Sequence, residues 1–222
     1  MHCEDVVAAG RPAARFDGAM TLVTLSSSYA AGGSQLGPRL AERLRVPFLD
    51  RAITSQVAER LAVDLVEAQA HQDQVGGLLS RVVRRLAPIG AAFGAAPEGP
   101  LEEEAYVQAT EATVRAHADA GAVILGRSGA LILADHPHAL HVRLDGPKAR
   151  RIEQAMRFFG VDRATAERQL AETDRAREAY AQHFYRADVG DPALYHLVID
   201  TTAIGLDAAL ELIVLAAEAR RG

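Results

Sequence analysis

Apolar runs too short for a helix alternate with longer stretches in which apolar residues recur at helical spacing. Met20-Thr21-Leu22-Val23-Thr24-Leu25 is the first such run and predicts a buried strand over 20–26. Leu36, Leu40 and Leu44 follow at four-residue spacing and predict a helix over 35–44. Pro38 suits only a helix's first turn, which puts the start near Ser34. A short strand-like segment spans 46–50, and Ile53, Val57, Leu61, Leu65 and Ala68 share one side of a predicted helix over 51–75. The periodicity then fails. Gly76, Gly77, Pro88, Gly90, Gly94, Pro97, Gly99 and Pro100 punctuate 76–100, which reads as an inserted connection with room for one short basic helix over 78–86 carrying Arg81, Arg84 and Arg85. A helix over 101–120 opens on Glu102-Glu103-Glu104, where the helix dipole favours acids, and stops at Gly121. Beyond it the pattern predicts a strand over 122–125, a helical turn over 129–134 and a strand over 138–144. Helices over 147–159 and 163–185, a strand over 197–200 and an amphipathic helix over 206–220 complete the chain.

Strands alternating with helices argue for an α/β fold with a parallel sheet covered on both faces. Ligands of such sheets sit beyond the carboxyl ends of the strands. Three loops then converge on one edge: 26–34, 126–129 and 201–205. The 222 residues fit one sizeable domain, with 1–18 as a loosely ordered extension broken by Gly10-Arg11-Pro12. A net charge of −5 gives no support for a nucleic-acid or anionic-membrane partner. Cys3 is the only cysteine, so no intrachain disulfide is possible and a cytoplasmic location is expected. No apolar run reaches the roughly 18 residues of a membrane span, and the first residues lack a basic start followed by an apolar stretch. Homodimerisation through 101–118 or through the inserted segment stays open.

The loop after the first strand reads Ser26-Ser27-Ser28-Tyr29-Ala30-Ala31-Gly32-Gly33-Ser34-Gln35. Set in the phosphate-loop frame G-x-x-x-x-G-K-[ST], its first glycine is Ser27 and its lysine is Gly33. Phosphate binding needs successive backbone N–H groups at the positive end of a helix. Gly32 and Gly33 permit that approach, and the Ser34 hydroxyl stands where one facing Mg²⁺ is expected. A plain strand-to-helix turn is the other reading. Arg127, in Gly126-Arg127-Ser128-Gly129, ends a buried strand, where a guanidinium needs an anion; its planar fork suits phosphate, and a salt bridge is the alternative. Arg175 and Arg177 lie on different faces of one helix, as arginines of a lid over transferring phosphates or as a solvated charged face. Arg150-Arg151 reads as surface. His136, His138 and His141, flanked only by Asp135 and Asp145, do not make a metal constellation.

In order and spacing, several stretches resemble the cytidylate-kinase-like family of P-loop nucleoside monophosphate kinases. They are Val23-Thr24-Leu25-Ser26 with Tyr29 and Gly32-Gly33; Val46-Pro47-Phe48-Leu49-Asp50; Val123-Ile124-Leu125-Gly126-Arg127; Thr173-Asp174-Arg175-Ala176-Arg177 with Tyr180; Gly190-Asp191-Pro192 with Tyr195; and Ile199-Asp200-Thr201-Thr202 through Gly205 to Ile213. The resemblance implies a P-loop kinase-like three-layer α/β/α domain over 19–222, with a parallel sheet of about five strands. It implies a monophosphate-binding region within 76–120 and a helical lid over 160–190. It further implies transfer of a phosphoryl group from ATP to CMP or dCMP with Mg²⁺, and nucleotides as the partners. By the same resemblance Gly32, Gly33, Ser34 and Gln35 cradle the donor phosphates, with Ser34 also facing the metal. Thr201 and Thr202 lie near the donor base. Arg127 holds the acceptor phosphate, with Asp50, Ser128 and Asp174 on the acceptor side. Arg175 and Arg177, with Arg127, carry the catalytic charge.

Three departures qualify this. The loop lysine is Gly33. The Arg-Glu-Tyr common before the glycines in relatives is Ser27-Ser28-Tyr29. Ser128 replaces the aspartate of true cytidylate kinases, which weakens the expectation of cytosine selectivity. Arg39, Arg150 or Arg151 are the cations available to compensate, and a catalytically degenerate nucleotide-binding or regulatory module is the alternative reading.

Overall fold

The computed structural model describes residues 21–50, 100–126 and 128–220. The readings made for 1–18, 51–75, 76–99 and Arg127 lie outside the described residues. Five parallel strands form one sheet: β1 (Leu22–Ser27), β2 (Phe48–Leu49), β3 (Ala122–Leu125), β4 (Ala139–Asp145) and β5 (Leu197–Asp200), in the spatial order β2-β3-β1-β4-β5. The most buried strands, β3, β1 and β4, take the centre, as expected where both faces are covered. Leu22 faces Ala122 on one side and Ala139 on the other, and Leu25 faces Leu125 and Val142.

Alternation along the strands divides the core. Val23, Leu25, Val123, Leu125, Val142 and Leu144 pack on one face against Leu36 and Leu40 of α1 (Gly33–Leu44) and Ile213 and Val214 of α6 (Thr201–Ala219). Leu22, Ala122, Ile124 and Ala139 pack on the other against Val114 and Ala118 of α2 (Pro100–Ala118) and Ile132 of α3 (Gly129–Ile132). The result is the expected three-layer α/β/α sandwich. Two further helices, α4 (Lys148–Phe159) and α5 (Arg163–Tyr185), meet the loop after β1 through Ala155 and Ala166, which cluster with Ala30. No helix among the described residues is long and apolar enough to cross a membrane.

One helix start follows the sequence pattern to within a residue, and one departs from it. α1 begins at Gly33, so Pro38 sits one turn further in than its chemistry favours and withholds an N–H from the helical ladder. α6 begins at Thr201, not at 206. The Asp200 carboxylate accepts the N–H groups of Thr202 and Ala203 and caps an extra first turn. Gly205, at φ 77 and ψ 165, then kinks the chain, so the apolar periodicity starts only beyond it.

Candidate functional site

The loop between β1 and α1 is fixed mainly by its carbonyls, which are held from three helices, α4, α5 and α6. Arg177 donates to the Ser27 carbonyl. Arg151 Nη1 donates to Tyr29 O at 3.1 Å, Gln154 Nε2 to Ala30 O at 2.8 Å and Thr201 Oγ1 to Ala31 O at 2.8 Å. Among the N–H groups, Ser28 donates to Leu144 O and Tyr29 to Asp174 Oδ1 at 2.8 Å. The loop enters α1 through Gly32, left-handed at φ 87, and the Gly33 N–H reaches Ser27 Oγ at 3.2 Å.

That last contact explains the absent lysine sterically. A Cβ built on Gly33 would stand 2.7 Å from Ser27 Cβ, 2.8 Å from its Oγ and 2.9 Å from Leu125 Cδ1. No side chain enters at 33 while Ser27 and Leu125 hold their positions.

A cleft of about 280 Å³ opens beyond the carboxyl ends of β1, β3 and β4. Ser26, Ser27 and Ser28 form one wall, and Gly126, Ser128 and Gly129 another. β4 contributes its polar face. Arg143 binds Asp145 Oδ2 at 3.0 and 3.1 Å, Ser28 Oγ at 3.1 Å and Val189 O at 2.7 Å, and lies 5.8 Å from the centre of the Tyr195 ring. Arg151, only 4% exposed, donates to Gly146 O at 2.9 Å and to Asp174 Oδ2 at 2.7 Å, with Asp145 Oδ1 at 3.6 Å. Arg177 follows at 3.9 Å from Asp174 Oδ1. Charges therefore alternate around the cleft as Arg143, Asp145, Arg151, Asp174, Arg177. Burial raises the Asp145 carboxyl, but the Gly146 N–H and the Arg143 guanidinium outweigh it and hold the group below the usual carboxylate range. Burial works against the Arg143 charge in turn, and Asp145 and Tyr195 together more than restore it.

The structure brings some of the sequence-predicted residues together and separates others. Ser128, Asp174 and Arg177 line the cleft. Ser128 is left-handed at φ 51 and Gly126 at φ 69. Gly32, Gly33, Ser34 and Gln35 form the loop exit and the first turn of α1, with Ser34 exposed. Thr201, 1% exposed, supports the loop from behind, and the Thr202 hydroxyl donates to Asp200. Arg175 is exposed and does not line the cleft, and Asp50 is exposed just past β2. Arg39 pairs with Asp207 at 2.6 Å between exposed side chains.

Arg151 corrects the surface reading of Arg150-Arg151: it is buried in the site, whereas Arg150 pairs with Asp200 at 3.1 Å. The missed residues had a signal. Arg143 and Asp145 share one face of a strand whose opposite face, Leu140, Val142 and Leu144, is apolar, and α4 has cations and no acid in its first turn, against its dipole. His141 is a buried sheet residue. Its Nδ1 lies 2.8 Å from Thr24 Oγ1, its backbone N–H reaches His196 Nδ1 at 2.9 Å, and the two rings stack at 5.1 Å.

A five-stranded parallel sheet, a glycine loop feeding α1 and an arginine-rich cleft at the strand ends define a P-loop kinase-type α/β domain. Residues 22–203 match the model of the cytidylate kinase-like family, and the chain belongs to that family. An uncharacterised protein from Eubacterium ventriosum shares the fold, with 18% identity and a TM-score of 0.59 over 90% of this chain and 99% of that one. Shikimate kinase from Bacteroides thetaiotaomicron overlays only coarsely, with 12% identity and a TM-score of 0.45 over 90% of this chain and 99% of that one. In sequence, 94 residues are 36% identical to a uronate isomerase of Corynebacterium glutamicum. That match covers 42% of this chain and spans 18% of the length of that relative.

Proposed function

We propose that this protein is a nucleotide phosphotransferase that takes ATP as donor and CMP, dCMP or a related nucleoside monophosphate as acceptor. The carrying observation is the cleft itself, where a loop held rigid by its carbonyls meets Arg143, Arg151 and Arg177 at the carboxyl end of the sheet. Phosphoryl transfer depends mostly on positioning and on neutralising charge, and a pre-set loop with fixed guanidinium groups supplies both.

The residues present fit the donor. The Gly32-Gly33 stretch opens α1 with no side chain in the way, and ATP brings the phosphoryl group when bound. Mg²⁺ in such sites takes one or two protein oxygens besides phosphate oxygens and water, and the exposed Ser34 hydroxyl is the protein oxygen offered. Arg177 and Arg151 hold the loop and spread positive charge beside it. Ser128 and Glu178 line the same cleft and are the groups we assign to an acceptor.

A specific observation favours a second reading, a nucleotide-binding module without transfer. Position 33 is closed to lysine, and the Asp174 carboxylate already takes the Tyr29 N–H. One experiment separates the two. The protein is mixed with ATP, Mg²⁺ and each of CMP, dCMP, UMP, AMP and GMP, the melting temperature is recorded, and products are separated by chromatography. Phosphotransfer predicts a raised melting temperature together with ADP and a nucleoside diphosphate. A raised melting temperature with no product refutes transfer and leaves the binding module. No shift with any nucleotide refutes both.

A further inference from the structure

We propose that Lys148 supplies the phosphate-binding ammonium that the loop lacks; the proposal rests on the reading of the cleft as a nucleotide site. Three observations converge on it. A lysine at position 33 would collide with Ser27 and Leu125, which occupy the space of its first carbon. The described arginines of the cleft are committed to the protein: Arg143 to Asp145, Arg151 to Asp174, and Arg177 to the Ser27 carbonyl. Lys148 lines the same cleft, is exposed, and forms no ion pair with any described residue.

Its placement is otherwise unfavourable. Lys148 is the first residue of α4, a helix with no acid in its first turn, so the ammonium faces the positive end of the dipole. An anion in the cleft removes that conflict. The choice of side chain fits the same task. Lys148 is the only lysine in a chain whose lysines and arginines total 24. An ammonium on a four-carbon stem is a compact, mobile point charge that can follow a phosphate, whereas a guanidinium prefers a fixed fork. The lysine of a phosphate loop stands on the helix after the first strand of its motif. Here the same kind of charge stands at the start of the helix after β4, the neighbouring strand.

The test is the affinity for ATP with Mg²⁺ and, separately, for adenosine, measured by calorimetry on the wild type and on K148A, K148R and R157A. Arg157 lies on the same helix, exposed and away from the cleft, so R157A removes one charge without touching the site. The expected result is a loss of roughly tenfold or more in ATP affinity for K148A, with partial recovery in K148R, no change in R157A and no change in adenosine binding. Lys148 is exposed, so all variants should melt with the wild type. Unchanged ATP affinity in K148A overturns the proposal, as does an equal loss in R157A. The phosphotransfer reading fails separately, if the wild type binds ATP and yields no diphosphate from any monophosphate.

Discussion

Ser27 and Gly33 compete for one small volume. The hydroxymethyl of Ser27 fills the place where the first carbon of a side chain at 33 would go, and accepts the Gly33 N–H besides. Gly33→Lys alone should therefore be overpacked and lose about 1–3 kcal/mol of stability. Ser27→Gly with Gly33→Lys should recover most of that loss, giving a favourable coupling of at least about 1 kcal/mol in a double-mutant cycle read by urea unfolding. Additive losses would mean that the two positions do not share space. The sequence displayed both substitutions but not their relation, since only the fold puts positions 27 and 33 in contact. Arg151 was hidden in the same way. Next to Arg150 in the chain it looks like surface, and only the docking of α5 supplies Asp174 as its partner.

Elements with strong patterns were legible almost to the residue. β3, β5 and α5 have the limits that their periodicity and punctuation predict. The first turn of α6 was not legible, because a capped turn of small residues carries no apolar period. Gly205 is the hinge of that element. Its φ of 77 with ψ of 165 belongs to a region open essentially to glycine alone, while no atom crowds the position a Cβ would take. Gly205→Ala should thus cost about 1–3 kcal/mol through the backbone alone, measured by chemical denaturation. A neutral result would mean that the kink relaxes without loss. Because this turn presents Thr201 to the Ala31 carbonyl, the same variant should also loosen the loop after β1.

For the molecule as a whole, acid is the informative perturbation. Burial first, then the neighbouring His196, lowers the His141 pKa from 6.5 to about 4, and His196 is lowered too, by burial and by Arg220. The fold holds both rings neutral, while the unfolded chain takes up protons below about 6.5. Stability present above pH 6.5 should therefore fall steadily as pH drops toward 4, by on the order of 3 kcal/mol for His141 alone. Urea titrations across that range should show the slope in the wild type and a flatter one in His141→Gln. Equal slopes would assign the acid loss elsewhere. The parallel sheet itself was plain from alternating strands and helices; the stacked histidine pair was not, because it depends on which strands become neighbours.

The bonds that hold the loop after β1 come from far down the chain, at separations of 122 residues for Arg151, 145 for Asp174 and 170 for Thr201. During synthesis the loop emerges early and its restraints emerge late. A ribosome-bound chain can begin its central strands well before it owns a pocket, and ligand capture must wait until the segment around residue 201 has been made and has docked. Nucleotide binding would then act as a proofreader of completion, rewarding only chains whose far end has found its place.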